Sequence, residues 1–139
     1  MPLIPLIRYA DYEDIETIMA IQKSVWSDDD DIDDIETFEE AVDEELLYVC
    51  EVHNKIVGYA LCYLNDYNDI HIADISLLPE YRGKGYGTQI MQFIMENCEN
   101  SLALEVETDN TKAFELYKKL GFKIKHTKYY MKLRRNDGD

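Results

Sequence analysis

Apolar and polar positions along the chain alternate in some stretches and recur at helical spacing in others, dividing it into eleven predicted elements. Residues 3–9, LIPLIRY, read as an opening strand that Pro5 confines to an edge or an irregular start. From Asp11 a helix is predicted, with Asp14 a weak analogue of the acidic member of a capping box. Ile15, Ile18, Met19, Val25 and Trp26 form its stripe, Ile21 widens that stripe, and Gln22 interrupts it. A second, short helix is expected over about Asp34 to Asp43, with Phe38, Ala41 and Val42 turned inward. LLYVCEV and IVGYALCYL flank His53-Asn54-Lys55 as an antiparallel hairpin, Asn54 being suited to the turn. IHIADISLL is the next strand and stops near Pro79. Ile90, Met91, Phe93, Ile94 and Cys98 mark a helix to about Glu99, and SLALEVE is again a strand. From Asn110 a helix carries Ala113, Leu116, Tyr117 and Leu120 on one face and ends at Gly121. FKIKHTKYYMKLR reads as two short closing strands or one bent ribbon, and RNDGD as a frayed end.

The order is therefore β-α-α-β-β-β-α-β-α-β-β, an α/β chain with a mixed sheet. The strand before the helix at Ile90 and the strand after it are joined by a crossover, which makes them parallel neighbours. With 139 residues and no repeat or linker, one domain over residues 1–135 is expected, followed by the frayed tail at 136–139.

Composition narrows the function classes. The formal net charge of −15 repels nucleic-acid backbones, so a nucleic-acid-binding module is disfavoured. The charge is unevenly placed: residues 28–45 hold 12 acidic side chains and no basic one, whereas residues 112–135 hold nine of the 14 lysines and arginines. Three cysteines, Cys50, Cys62 and Cys98, lie far apart inside apolar runs, which points away from a disulfide framework or a metal site and toward buried thiols in a reducing, cytoplasmic setting. The start of the chain carries neither a signal-peptide pattern nor a membrane span.

Three of the six glycines fall within five residues, in Tyr81–Gly87, YRGKGYG. The spacing fits neither a Walker A loop, which needs Lys and Ser or Thr after the last glycine, nor the G-x-G-x-x-G dinucleotide turn. A strand-to-helix turn of this kind presents free N–H groups and partial positive charge, and Arg82 and Lys84 add full charges. The local pattern alone leaves two readings: an anion cradle, or a tight turn that needs glycine for its geometry.

Arg82-Gly83-Lys84-Gly85-Tyr86-Gly87 resembles the Arg/Gln-x-x-Gly-x-Gly signature of the GCN5-related N-acetyltransferases. Leu104–Phe122, LEVETDNTKAFELYKKLGF, resembles the second core motif of that family, particularly of the branch that acetylates protein N-termini, the ribosomal-protein acetyltransferases included. The resemblance runs over roughly residues 5 to 134. It implies a mixed, mostly antiparallel sheet with a splayed parallel strand pair, flanked by about four helices. It also implies acetyl-CoA as the donor. Arg82, Gly83, Lys84, Gly85, Tyr86, Gly87 and Thr88 would then cradle the pyrophosphate, Ile75, Ser76 and Leu77 would lie along the pantetheine and polarise the acetyl carbonyl, and Asn110 would help place the cofactor besides capping its helix.

The same resemblance assigns two catalytic roles. Tyr117, in the LY-x-x-x-GF pattern, would protonate the departing thiolate, and Glu105, twelve residues earlier, would accept the amine proton. Without the resemblance Tyr117 reads as a core residue and Glu105 as an exposed sheet residue, turned away from Leu104 and Val106. An ordered water is the alternative base, with Glu107, Asp74 and His71 as weaker candidates, His71 standing close to the hairpin start. The acidic run borders the acceptor side in such a fold. It would attract a small cationic amine or a basic peptide, or else serve solubility. The short stretch between the last two strands leaves little room for a peptide clamp. A monomer or homodimer is expected, and the competing function is an acyl-CoA-binding regulatory protein without turnover.

Overall fold

The computed structural model describes residues 4–26 and 32–135. The first residue of the predicted opening strand, the four aspartates at 28–31 and the predicted frayed tail at 136–139 lie outside the described residues. The chain divides into two compact units, Met1–Glu105 and Val106–Asp139.

In the first unit β1 (Leu6–Tyr9), β2 (Leu47–Val52), β3 (Lys55–Leu64), β4 (Ile70–Leu77) and β5 (Leu102–Leu104) form one sheet in that order. The first four are antiparallel neighbours, and β5 lies parallel to β4, as the crossover argument requires. The β2–β3 hairpin closes between Val52 and Lys55 through His53 and Asn54, with φ of 53° and 62°. Two left-handed residues in a two-residue turn match the twist of the flanking strands.

Three helices cover the two faces of this sheet. A 3-10 turn at Tyr12–Asp14 leads into α1 (Ile15–Val25), and α2 (Ile35–Asp43) follows. Asp34 caps α2 by accepting the Thr37 N–H at 3.1 Å. Ile15, Ile18 and Ile21 of α1 and Phe38 and Ala41 of α2 pack on Leu47, Val49, Tyr59 and Leu61, the side chains of one sheet face. Tyr48, between Leu47 and Val49, points to the other face, where its ring meets Phe93 of α3 (Tyr86–Glu96) at 5.9 Å. Arg8 ties the beginning of α1 to the sheet: its guanidinium forks onto Asp14 at 2.8 and 3.1 Å, and its Nε reaches Glu51 at 2.6 Å. The Asp14 carboxyl is held below the ordinary carboxylate range, chiefly by that hydrogen bond from Arg8.

The strand-to-strand packing at the end of β4 depends on Gly58. A Cβ built there would stand 2.4 Å from Leu77 Cδ2 and 2.7 Å from the Ser76 carbonyl oxygen. The carbonyl belongs to backbone and cannot turn aside. Gly58→Ala is therefore expected to destabilise the protein by about 1–3 kcal/mol through overpacking, read as a lower denaturation midpoint. An unchanged midpoint would show that β3 and β4 separate at no cost.

Three expectations are corrected in this region and beyond. α3 ends at Glu96 rather than near Glu99, because Asn97 folds its side-chain amide onto the Phe93 carbonyl at 2.8 Å and closes the last turn. β5 spans three residues, so Glu105 stands one position beyond the strand instead of within it. The ladder ends beside a bulge: the β3–β4 register shifts between Leu61 and Cys62, with Ala73 the extra residue of β4, and the pairing of β4 with β5 ends at Ile72 and Leu104. In the second unit α4 (Thr111–Lys119) forms as predicted, with Gly121 at φ 103° ending it. Neither the two closing strands nor the bent ribbon expected there forms: Phe122–Arg135 has neither helix nor strand, and Ile124, Tyr129, Tyr130, Met131 and Leu133 are 67–94% exposed. Alternating apolar side chains make a strand only where a neighbouring backbone supplies the ladder.

Candidate functional site

Beyond Ile72, β4 continues for five residues, to Leu77, after its ladder with β5 has ended. Which backbone groups face that opening follows from the hydrogen bond of the Leu78 N–H to the Val57 carbonyl at 2.8 Å. In an antiparallel ladder the residues that exchange hydrogen bonds alternate with those that do not. Ser76, opposite Tyr59, is thus bonded toward β3, whereas Ile75 and Leu77 aim their N–H and C=O groups toward the β5 side. The Leu77 carbonyl is taken by Arg82 Nε at 3.0 Å, which anchors the following turn to the strand end. The Ile75 and Leu77 N–H groups and the Ile75 carbonyl then point away from β3 along this end of the strand. Ser76 contributes through its side chain to a different network, described below.

A second 3-10 turn, Pro79–Tyr81, carries the chain from β4 into the glycine segment, with Lys55 Nζ 5.8 Å from the centre of the Tyr81 ring. Gly83 and Gly85 take φ of 75° and 84°, and Gly85 is the N-cap of α3. Left-handed backbone at these angles favours glycine at both places. Gly87 differs. Its φ is not positive, it lies in the first helical turn, and a Cβ there would meet nothing within 4 Å. Neither backbone geometry nor packing asks for glycine at 87, whereas a ligand approaching the backbone would. The first helical bond runs from the Gln89 N–H to the Gly85 carbonyl, so the N–H groups of Tyr86, Gly87 and Thr88 have no partner within the helix. No side chain caps this terminus and no acidic residue stands in its first turn, which leaves its partial positive charge for an anion. Arg82 and Lys84 are exposed beside it, and Tyr86 is buried, offering only its N–H.

On the face covered by α1 and α2, Asp74 is fully engaged. It accepts the Tyr59 hydroxyl and a 3.3 Å hydrogen bond from Gln22 Nε2 on one oxygen, and the Ser76 hydroxyl at 2.7 Å on the other. Burial, followed by the Asp74 hydrogen bond, pushes the Tyr59 phenol above its ordinary range. A carboxylate so occupied is a structural acceptor, which removes Asp74 from the candidates for a base.

His71 gains what Asp74 loses. It pairs with Tyr63 on β3 and Ala103 on β5, which puts it on the same face as residue 105. Its Nε2 lies 3.9 Å from Glu105 Oε1, and its ring stacks on Tyr63 with centroids 4.9 Å apart. The sequence expectation set His71 aside for its nearness to the hairpin start. The signal for it was the parallel pairing, which brings position 71 opposite position 103. Glu105 is 68% exposed at its side chain and so meets solvent as well as His71.

In the second unit Asn110 caps α4 by accepting the Ala113 N–H at 3.3 Å, which commits one of its oxygen lone pairs. Tyr117 is half-buried, its ring 5.8 Å from Phe122 in an edge-to-face contact, and burial raises its phenol above the ordinary value. Cysteine chemistry is disfavoured: burial pushes the Cys50 and Cys62 thiols up to about 11 and about 12, so neither supplies a thiolate near neutral pH. Among the described residues no group of three or more His, Cys, Asp or Glu side chains could hold a metal ion, and no helix is long and apolar enough to cross a membrane.

Comparison with known proteins agrees with this geometry. The chain is 34% identical over 93 residues to an uncharacterized N-acetyltransferase of Methanocaldococcus jannaschii, covering 60% of this chain and 41% of that one. It is 32% identical over 105 residues to an N-alpha-acetyltransferase of Sulfurisphaera tokodaii, covering 63% and 62%. The match thus spans about half of these relatives' length. Arabidopsis thaliana Naa50, solved in complex with the bisubstrate analogue CoA-Ac-MVNAL, shares the fold with a TM-score of 0.75 at 19% identity, over 93% of this chain and 91% of that one. The acetyltransferase (GNAT) family model matches residues 12–122. With a parallel β4–β5 pair and a glycine turn opening α3, the chain belongs to the GNAT acetyltransferase family.

Proposed function

We propose that this protein transfers the acetyl group of acetyl-CoA to the amine of a cationic acceptor. The observation that carries the reading is Gly87, a glycine required by neither backbone nor packing, at the uncapped start of α3 and directly downstream of the open β4 edge. The Naa50 complex and the family match support the donor.

The N–H groups of Gly85, Tyr86, Gly87 and Thr88, with Gly83 shaping the turn, bind the diphosphate, and Arg82 and Lys84 add charge. The Ile75 and Leu77 N–H groups hold the pantetheine and aim at the carbonyl oxygen as charge develops on it. Ser76 fixes the strand between them, and Asn110 keeps its cap while orienting the cofactor. Attack by the neutral amine forms the C–N bond and breaks the C–S bond. Glu105, backed by His71, takes the amine proton directly or through a water, and Tyr117 returns a proton to the thiolate.

The acceptor class follows from charge. Glu39, Glu40, Asp43, Glu44 and Glu45 on and after α2 are exposed and continue the acidic stretch from Asp33 and Asp34. A polyamine, a lysine or a basic peptide is steered there. The N-alpha-acetyltransferase of Sulfurisphaera favours the amino terminus of a peptide within that class. The enzyme acts as a single domain, monomeric or dimeric, in the reducing cytoplasm that suits three free cysteines.

Thiol release from acetyl-CoA against a panel of spermidine, lysine and lysine-rich peptides tests the reading, with acceptor-dependent release expected. Cofactor binding without release across the panel would leave a regulatory binding protein instead. In the same assay Glu105→Gln is expected to flatten the acidic limb of the pH–rate profile, and an unchanged limb would transfer the base role to water.

A further inference from the structure

Gln22 is 1% exposed and stands in the apolar stripe of α1, where an isoleucine or methionine would pack without polar cost. Both ends of its amide are engaged. The carbonyl oxygen accepts the Asp33 N–H at 2.9 Å, and Nε2 donates to the Asp33 carboxylate at 2.8 Å and to the Asp74 carboxylate at 3.3 Å. One side chain therefore grips three elements. It holds its own helix, the last residue of the acidic run before the Asp34 cap of α2, and β4 at the position preceding Ile75.

We infer that Gln22 is a positioning residue that fixes Asp33, and with it the start of the acidic helix α2, against the thioester end of β4, and so sets where the cationic acceptor presents its amine. The inference rests on the proposed acetyl transfer. Three features of the network carry it. The contact to Asp33 is two-pronged, N–H to oxygen and amide to carboxylate, which fixes orientation as well as distance. Asp74 receives its remaining hydrogen bonds from Tyr59 and Ser76, both on the sheet, so the far end of the clamp is rigid. Among the described residues no buried side-chain nitrogen or oxygen lacks a partner, so the network is complete without a ligand and acts as a brace rather than as a binding site. A half-satisfied buried network would be worse than an apolar core, so the amide is retained for the connection it makes. Freed from it, Asp33 and α2 keep their charge but lose their fixed distance from β4 at Asp74.

Gln22→Met keeps the volume and removes every hydrogen bond. Asp33→Ala cuts only the carboxylate link and leaves the backbone N–H bond in place. With the best amine of the panel above, Gln22→Met is expected to raise the acceptor KM about tenfold, the loss of one to two hydrogen bonds' worth of positioning. The acetyl-CoA KM and kcat stay within about twofold of wild type. Asp33→Ala gives a smaller rise in the same constant. A merely structural role would lower the melting temperature and the active fraction, hence the apparent kcat, and leave the acceptor KM in place. That result, or an unchanged acceptor KM in both variants, overturns the clamp while acetyl transfer stands. Wild-type protein that releases no thiol with any amine overturns the proposed function, and this inference with it.

Discussion

Gly87→Ala is expected to leave the melting temperature unchanged or slightly higher while acetyl-CoA binding weakens by about tenfold to a hundredfold, the loss of one or two charge-assisted hydrogen bonds. The two readouts move apart because the position has two unequal environments. Toward the protein, residue 87 is ordinary helix. Its φ is not positive and a methyl meets nothing within 4 Å, so alanine gains up to about 1 kcal/mol from the less flexible unfolded chain. Toward the open side, the methyl stands where a diphosphate would meet the N–H groups of residues 86–88, whose bonds no helical carbonyl accepts. Gly85→Ala lacks this power to discriminate. Its φ of 84° penalises any side chain, so stability and affinity would fall together and neither would reveal the cause. Calorimetric titration with acetyl-CoA beside a thermal melt decides the matter. Unaltered affinity in Gly87→Ala would return the glycine run to the reading of a tight turn and remove the main support for the cradle.

The local reading of the sequence succeeded where one residue decides the geometry. Asp34 and Asn110 were expected at the starts of helices, and both cap them. Asn54 was placed in a turn and takes a φ of 62° there. The parallel pairing of the strands around α3 was legible because a crossover of that length allows little else. The glycine turn between a strand and a helix was legible too, because left-handed backbone at Gly83 and Gly85 leaves a local trace.

What stayed hidden depends on registers between strands and on contacts distant in sequence. The bulge makes Ala73 an extra residue of β4, and the apolar phase of that strand shifts there from Ile70 and Ile72 to Ile75 and Leu77, but alternation does not say that the β5 ladder ends at the same place and leaves Glu105 off the strand. His71 meets Glu105 across 34 positions, and Gln22 meets Asp74 across 52. Gln22 did leave a mark, as the polar interruption of an apolar stripe, but the sequence does not say what a buried amide would grip. Periodicity alone also promised closing strands from residue 122 onward, and periodicity names a face without supplying the neighbour that a strand needs.

Tyr117→Phe tests the other half of the chemistry. It is expected to lower kcat by about a hundredfold to ten-thousandfold, the range for losing a positioned general acid, with little change in acetyl-CoA affinity. The substitution removes one oxygen and keeps the ring, so the edge-to-face contact with Phe122 at 5.8 Å survives and stability should not be the cause of the loss. The direction of the phenol's shift supports the role. Burial raises its pKa, so the group carries its proton throughout the neutral range and can donate it. The same shift has a signed consequence for stability. A folded-state pKa above the unfolded value, near 10 for tyrosine, contributes stability at neutral pH that is lost as pH rises through the folded value. Activity of the wild type should fall on that alkaline side for the same reason, and Tyr117→Phe should lack the limb as well as the rate. A donor whose thiol leaves without protonation offers the sharpest check: an acetyl thioester of strongly lowered thiol pKa should recover most of the lost rate in Tyr117→Phe and gain little in the wild type. Equal losses with both donors would place Tyr117 in the packing of its helix against Phe122, and the thiolate would then leave as the free anion or with a proton from water.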